Sequence, residues 1–282
     1  MNLLMGIVGN AEEVLLEKNG RFYRYAEPGE RPKNAMDAIV RWDSIQDLDI
    51  VQVSRRINYL CPVIPGKMFL PAVNFKSHSK EASAPGFSEP YFFTKFQHAL
   101  VPNGGNVVRP AGVERLDYEG EIGIIIGKGG KYIEEKDAMN HIFGYTIIND
   151  VTIRDYQSQS FGNYGKDWVM GKNADTALPM GPWITPREEL DPFSTTIETR
   201  INGELLQNGT TDDMIFRPEK LIARLTKVIT LRPGDLISTG TPSGVAEYAT
   251  KKYLQPGDAV EISVKGIGTL KHGIIAEPAD SS

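Results

Sequence analysis

A chain of 282 residues can bury a sizeable core, and 40% hydrophobic with 24% charged residues is the composition of an ordinary globular protein. Its 31 basic and 36 acidic side chains leave a net charge of −5 with no basic block, which argues against a nucleic-acid partner. The single cysteine, Cys61, excludes an intrachain disulfide framework and suits a reducing compartment, where its plainest role is that of a small buried hydrophobe.

Residues 1–9 are apolar, short and free of a positively charged leader, so they read as a first strand. No stretch reaches the roughly 18 apolar residues of a membrane span, and the expected location is the cytoplasm. Residues 14–25 alternate about Asn19-Gly20, a strong hairpin signal. A polar loop over 26–34 and a helix and strand over 35–53 follow. Prolines and glycine in 61–67 are expected to separate a small N-terminal α+β domain, residues 1–64, from a larger catalytic domain, residues 65–282.

The larger part reads as α+β, mostly β. Strands are expected over 121–126, 144–148, 195–201, 236–239 and 259–264, with Pro-Gly-Asp turns at 233–235 and 256–258 pointing to antiparallel sheets. Helices are expected over 151–160 and over 218–228, the second with Leu221, Ile222, Leu225 and Val228 on its apolar side. The formal sequon at Asn208 reads as a loop, and Gly127-Lys-Gly-Gly130 has the wrong spacing for a phosphate loop.

Glu119 and Glu121 are the most telling residues. They stand at alternate positions of one apolar strand, so both project from one face while Ile122, Ile124 and Ile126 project from the other. Two like charges roughly 7 Å apart on a sheet face resist burial, and a divalent cation would reverse that cost. Asp150 is the third carboxylate. With Arg154 and Gln157 it falls on one stripe of a helix; alternatively it is a helix cap with Arg154 as its surface partner. Three carboxylates with water suit Mg²⁺ or Mn²⁺, whereas zinc would recruit His or Cys.

His78 has Glu81 one helical turn on, which would orient the imidazole as a general base; a solvated polar turn is the competing reading. Ala84-Pro-Gly86 after it suits a mobile lid. His98, His141 and His272 lack such a partner and read as structural. Lys172 is either a solvent-exposed lysine or an electrophile, and Thr241 ends a strand in a glycine-flanked turn of a common structural kind. Phe75, Phe92, Phe93 and Tyr156 either line a pocket or pack in the core.

In order along the chain, Asn74-Phe-Lys-Ser-His-Ser-Lys-Glu81, Tyr118-Glu-Gly-Glu-Ile-Gly123, Gly144-Tyr-Thr-Ile-Ile-Asn-Asp150 with Arg154-Asp-Tyr-Gln157, Gly171-Lys172, Asn202-Gly-Glu204, Asp213-Met-Ile-Phe216 and Thr239-Gly-Thr-Pro242 resemble the fumarylacetoacetate hydrolase family. The resemblance runs from about residue 65 to the C-terminus, and the chain resembles the shorter acylpyruvase and 2-hydroxyhepta-2,4-diene-1,7-dioate isomerase-like members. It implies a mixed β-sandwich roll, a homodimer, and a cation on Glu119, Glu121 and Asp150, with Ca²⁺ able to replace Mg²⁺ or Mn²⁺ in crystals. It also implies a water-activating dyad of His78 and Glu81, an oxyanion-stabilising Lys172, and substrate contacts from Arg154, Gln157 and Thr241.

The activity so implied is hydrolysis of a C–C bond in a 1,3-diketone or acylpyruvate-type 2-oxo acid through a metal-bound enolate. Decarboxylation, isomerisation or dehydration of a related 2-oxo or 2-keto-3-deoxy sugar acid can use the same site. A non-catalytic 2-oxo acid binder is the third reading, and it predicts loss of one of these residues; all are present.

Overall fold

Asn19 and Gly20 both take positive φ, 53° and 76°, the backbone of a two-residue turn whose twist matches its strands, and they join Ala11–Lys18 to Arg21–Tyr25. In this computed structural model, which describes residues 1–84, 86 and 88–278, the expected lid at 84–86 includes Pro85 and so falls partly outside the described residues. Asn34 caps the helix Ala35–Ile45 by accepting from Asp37 N at 2.9 Å, and the strand Ile50–Gln52 follows it.

The larger of two main sheets has twelve strands. Its main path runs Ile50–Gln52, Arg21–Tyr25, Ala11–Lys18, Asn2–Val8, Leu178–Pro186, Ile142–Asn149, Gly120–Ile126, Leu236–Ser238, Met68–Pro71 and Phe92–Thr94. The sheet therefore crosses the stretch 61–67: Leu3 pairs with Ile184, and Leu3, Leu16, Cys61 and Val63 share one buried cluster with Leu70, Ile125 and Ile148. Pairing is antiparallel along most of this path. The Pro-Gly-Asp turn at 233–235 nevertheless leads into a strand that is parallel to Met68–Pro71, so antiparallel sheets alone do not describe the fold.

A five-stranded sheet packs on the middle of the first, in the order Glu204–Thr210, Thr196–Ile201, Ala259–Val264, Gly268–Ala276 and Asn106–Arg109. Ile122, Ile124 and Ile147 from one sheet meet Ile197, Ile262 and Leu270 from the other in a common core. The arrangement is α+β and mostly β, a mixed sandwich.

Two helical expectations need correction. Residues 151–160 do not form one helix: Thr152–Ile153 is a short strand paired with Leu116–Asp117, and only Arg154–Gln157 is helical. The alternation Val151, Ile153 fits the strand, which satisfies its backbone there. The later helix is Pro218–Thr226; Leu221, Ile222 and Leu225 are buried, but Val228 lies beyond the end at 75% exposure.

Candidate metal centre

The strand Gly120–Ile126 lies between Ile142–Asn149 and Leu236–Ser238, and its pairing of Gly120 with Asn149 assembles the acidic cluster. Glu119 precedes this strand, Glu121 is its second residue and Asp150 follows the end of its neighbour. Asp150 N donates to Glu119 O at 2.9 Å. All three carboxylates are buried and offer oxygens within 4.8 Å of one another. The residue between the glutamates must be small. A Cβ on Gly120 would lie 2.4 Å from Thr199 Oγ1, on the face that meets the five-stranded sheet.

Asp150 is not a helix cap, and Arg154 is not its surface partner. The short helix starts after Ile153 with no side-chain cap, and Arg154 is buried. Its guanidinium donates through Nε to Asp117 Oδ2 at 2.8 Å, through Nη1 to Gln157 Oε1 and through Nη2 to Glu119 Oε1. Lys172 is likewise buried, not solvent-exposed, and its ammonium donates to Glu119 Oε2 at 2.8 Å and Asp150 Oδ2 at 2.6 Å. The Phe93 ring lies beneath it, 4.8 Å from centroid to Nζ.

Two participants escape the sequence reading. Asp117 is fully buried; it receives Arg154 and the backbone N–H groups of Ala246 and Glu247 at 2.7 and 3.0 Å. Lys95 is buried too, 3.0 Å from Asp150 Oδ1, and it donates to the carbonyls of Val151 and Ala177. The signal for Asp117 is its parity with Glu119 and Glu121 along one strand direction. For Lys95 it is a lone cation within Phe92-Phe-Thr-Lys-Phe96.

These charges do not balance. Asp117, Glu119, Glu121 and Asp150 face Lys95, Arg154 and Lys172, so one carboxylate lacks a counter-charge. Burial opposes ionisation of Glu119, yet Lys172 and Arg154 outweigh it and hold that carboxyl well below the usual carboxylate range. Burial, followed by the charges of Asp150 and Glu119, pushes Glu121 well above it. Burial opposes the Lys172 charge, but Asp150 and Glu119 raise its pKa; burial lowers that of Lys95. The only hydrogen-bond donor to the Glu121 carboxylate among the described residues is the Ser238 hydroxyl. An all-carboxylate donor set with one uncompensated member fits a hard divalent cation such as Mg²⁺ or Mn²⁺.

His78 is 5% exposed, on the short helix Lys76–Glu81. Its Nδ1 lies 2.8 Å from Glu81 Oε1, and the other Glu81 oxygen accepts from Gly244 N at 3.0 Å. The pair is therefore held by the fold and is not a solvated turn. Tyr248 packs edge-on against the imidazole at 5.9 Å between centroids. Asn74, just upstream, exchanges hydrogen bonds with Phe216 and donates to Thr239 O, which seats this segment on the sheet.

A cavity of about 370 Å³ joins these groups, with His78, Glu119, Arg154, Gln157, Lys172 and Tyr248 in its wall. Thr241 is buried but does not line it. Its hydroxyl donates to Gly120 O at 2.9 Å and accepts from Gln207 Nε2 at 2.8 Å, so its visible work is to brace the glutamate strand. Phe75 and Phe93 are core residues of two separate clusters, and Phe92 and Tyr156 pack against the one that holds Phe75. Of the remaining histidines, His272 is buried with Nε2 2.9 Å from Asn149 Nδ2, and His98 and His141 make backbone contacts at the surface.

The sequence pattern of the family described as fumarylacetoacetate (FAA) hydrolase C-terminal matches residues 67–275. A cattle protein (Bos taurus), oxaloacetate tautomerase FAHD2B, mitochondrial, is 35% identical over 269 residues, which is 94% of this chain and 82% of its own. The oxaloacetate tautomerase YisK of Bacillus subtilis (strain 168) is 41% identical over 208 residues, 71% of this chain and 67% of its own. Among solved structures, the fumarylacetoacetate hydrolase of the psychrophile Exiguobacterium antarcticum superposes with a TM-score of 0.86 at 31% identity, covering 98% of this chain and 100% of the other.

Proposed function

This chain belongs to the fumarylacetoacetate hydrolase family, and we propose that it interconverts the keto and enol forms of a small 2-oxo acid of the oxaloacetate type. The observation that carries this reading is His78: a buried imidazole, fixed by Glu81, in a cavity whose other charged groups are mainly cations. Relatives named oxaloacetate tautomerases, one alignable over nearly the whole chain, support the same reading.

Glu119, Glu121 and Asp150 would hold Mg²⁺ or Mn²⁺, which when bound withdraws electron density from a 2-oxo carboxylate. The protein's own part is proton transfer and orientation. With Nδ1–H donated to Glu81, neutral His78 presents a lone pair at Nε2. That atom takes the proton from the methylene beside the 2-oxo group; the C–H pair becomes the C=C bond and the carbonyl π pair moves to oxygen, which is then protonated. Arg154 has donated three of its five N–H groups and keeps two for a substrate oxygen, while Gln157 keeps its amide N–H groups because its oxygen accepts from Arg154. Lys172 holds Glu119 and Asp150 together and keeps the cavity cationic.

Hydrolysis of an acylpyruvate or 1,3-diketone is the second reading, because a His-Glu pair also suits taking a proton from water and a fumarylacetoacetate hydrolase is a close structural neighbour. Decarboxylation and dehydration use the same groups. A homodimer in a reducing compartment, in keeping with the free thiol of Cys61, completes the proposal; no helix among the described residues is long and apolar enough to cross a membrane. The test follows loss of enol absorbance of oxaloacetate and, separately, pyruvate release from acylpyruvates, each with Mg²⁺, Mn²⁺ or EDTA. Metal-dependent acceleration of the first supports tautomerisation. Pyruvate release without it replaces that reading by hydrolysis, and inactivity in both assays leaves the binder reading.

A further inference from the structure

One cation in the cavity wall has no ion-pair partner among the described residues. Lys172 is engaged by Glu119 and Asp150, and Arg154 by Asp117 and Glu119. Lys166 lines the same cavity, yet among the described residues its side chain makes no ion pair and no hydrogen bond. Its backbone is fixed from both sides. Ser160 and Lys166 pair across a tight loop whose glycines, Gly162 and Gly165, take φ of 60° and 82°. The next residue, Asp167, caps the segment Trp168–Lys172 by accepting from Met170 N at 2.9 Å. This placement sets Lys166 in the wall of the cavity that Glu119, Arg154 and Lys172 also line. Partial burial, and then the nearby charges of Arg154 and Lys172, hold its pKa below the usual lysine value.

A substrate gripped only at its 2-oxo carboxylate end would leave this ammonium unanswered. We propose that Lys166 is a specificity-determining residue that receives the second carboxylate of a 2-oxo dicarboxylate. The inference deepens the reading of the cavity as a 2-oxo acid site and rests on it. A charge-assisted hydrogen bond at this position selects a diacid over the corresponding monoacid, and partial exposure limits its strength. Arginine at the position would keep the charge and much of the selection; methionine would keep the stem alone.

The test is calorimetric titration of the Mg²⁺-loaded protein with L-malate and L-lactate, which share a 2-hydroxy carboxylate and differ in the second carboxylate; neither depends on turnover. Lys166→Met is expected to lower the malate-to-lactate affinity ratio between about three- and tenfold, with Lys166→Arg restoring most of it. A ratio that stays within about twofold of the wild-type value overturns the proposal, as does failure of the wild-type protein to bind malate. Collapse of the ratio in a protein that does not tautomerise oxaloacetate supports the role of Lys166 while the reading of the reaction fails.

Discussion

Gly171 and Gln157 are so closely packed that a Cβ on the glycine would lie 2.6 Å from the glutamine Cβ and 2.9 Å from its Cα. The second of these is backbone, so no rotamer change relieves the clash. Two short helical segments, Arg154–Gln157 and Trp168–Lys172, are pressed together here, and each carries cavity residues at its end.

Gly171→Ala should therefore push these segments apart. Overpacking of this kind destabilises by about 1–3 kcal/mol, read from the midpoint of a denaturant melt. Because Lys172 is next in the chain, divalent-ion affinity should change as well. Unaltered stability and affinity together would show that the contact is slack.

Replacing His78 by Ala is expected to lower kcat by about 10²–10⁴-fold if the imidazole is the base, with Mn²⁺ affinity by calorimetry kept within a few-fold. Glu81→Gln keeps a hydrogen-bond partner but removes its charge, so its loss of kcat should be smaller. Full activity of His78→Ala on oxaloacetate would remove the histidine from the mechanism.

Glu121→Gln should act in opposite directions on two measurements. Divalent-ion affinity should fall by more than the roughly 10–100-fold of an outer-sphere change. The metal-free protein should melt at a higher temperature, because a buried carboxylate repelled by Asp150 and Glu119 has been neutralised. A metal-free variant less stable than the parent would contradict this account of the charge imbalance.

His272 gives stability a pH dependence. Burial lowers its pKa from 6.5 to about 4 in the folded protein, so between these values the unfolded chain binds the extra proton and stability rises with pH. The contribution is fully present above pH 6.5 and is lost as pH falls toward 4, amounting to about 3 kcal/mol at about 1.36 kcal/mol per pKa unit. Thermal melts across this range should flatten in His272→Gln. In the wild type the same protonation would set an N–H against the Asn149 amide, whose oxygen holds Glu119 N at 2.9 Å.

Much of the site was legible because strand periodicity is short and strict. The alternation of Glu119 and Glu121 reads directly as one face, and Asn19-Gly20 dictates its turn. Asp150 was harder. The same residues that spell a cap and an i, i+4 partner instead end one strand, begin another and bury Arg154, because Asp117 and Glu119 are waiting for its guanidinium. Those partners lie 37 and 35 residues away in the chain, beyond any local pattern. Lys95 was silent for the same reason, since Val151 and Ala177 lie 56 and 82 residues away, and Gln207 reaches Gly120 and Thr241 at separations of 87 and 34. Thr241 shows the reverse: its motif was visible, but its hydroxyl faces the Gly120 carbonyl and Gln207 and lies outside the cavity wall.

The first strand bonds to Leu178–Pro186 and buries Leu3 and Leu4 completely. A fragment cut back to residues 67–275, the span that matches the family pattern, would thus strip the cover from an interior slab. Raw backbone edge and aliphatic side chains would face water at the flank of the strands that carry Asp150 and the glutamates. Such a fragment invites self-association before it offers chemistry. The amino-terminal sixty residues are, in effect, the retaining wall of the catalytic floor.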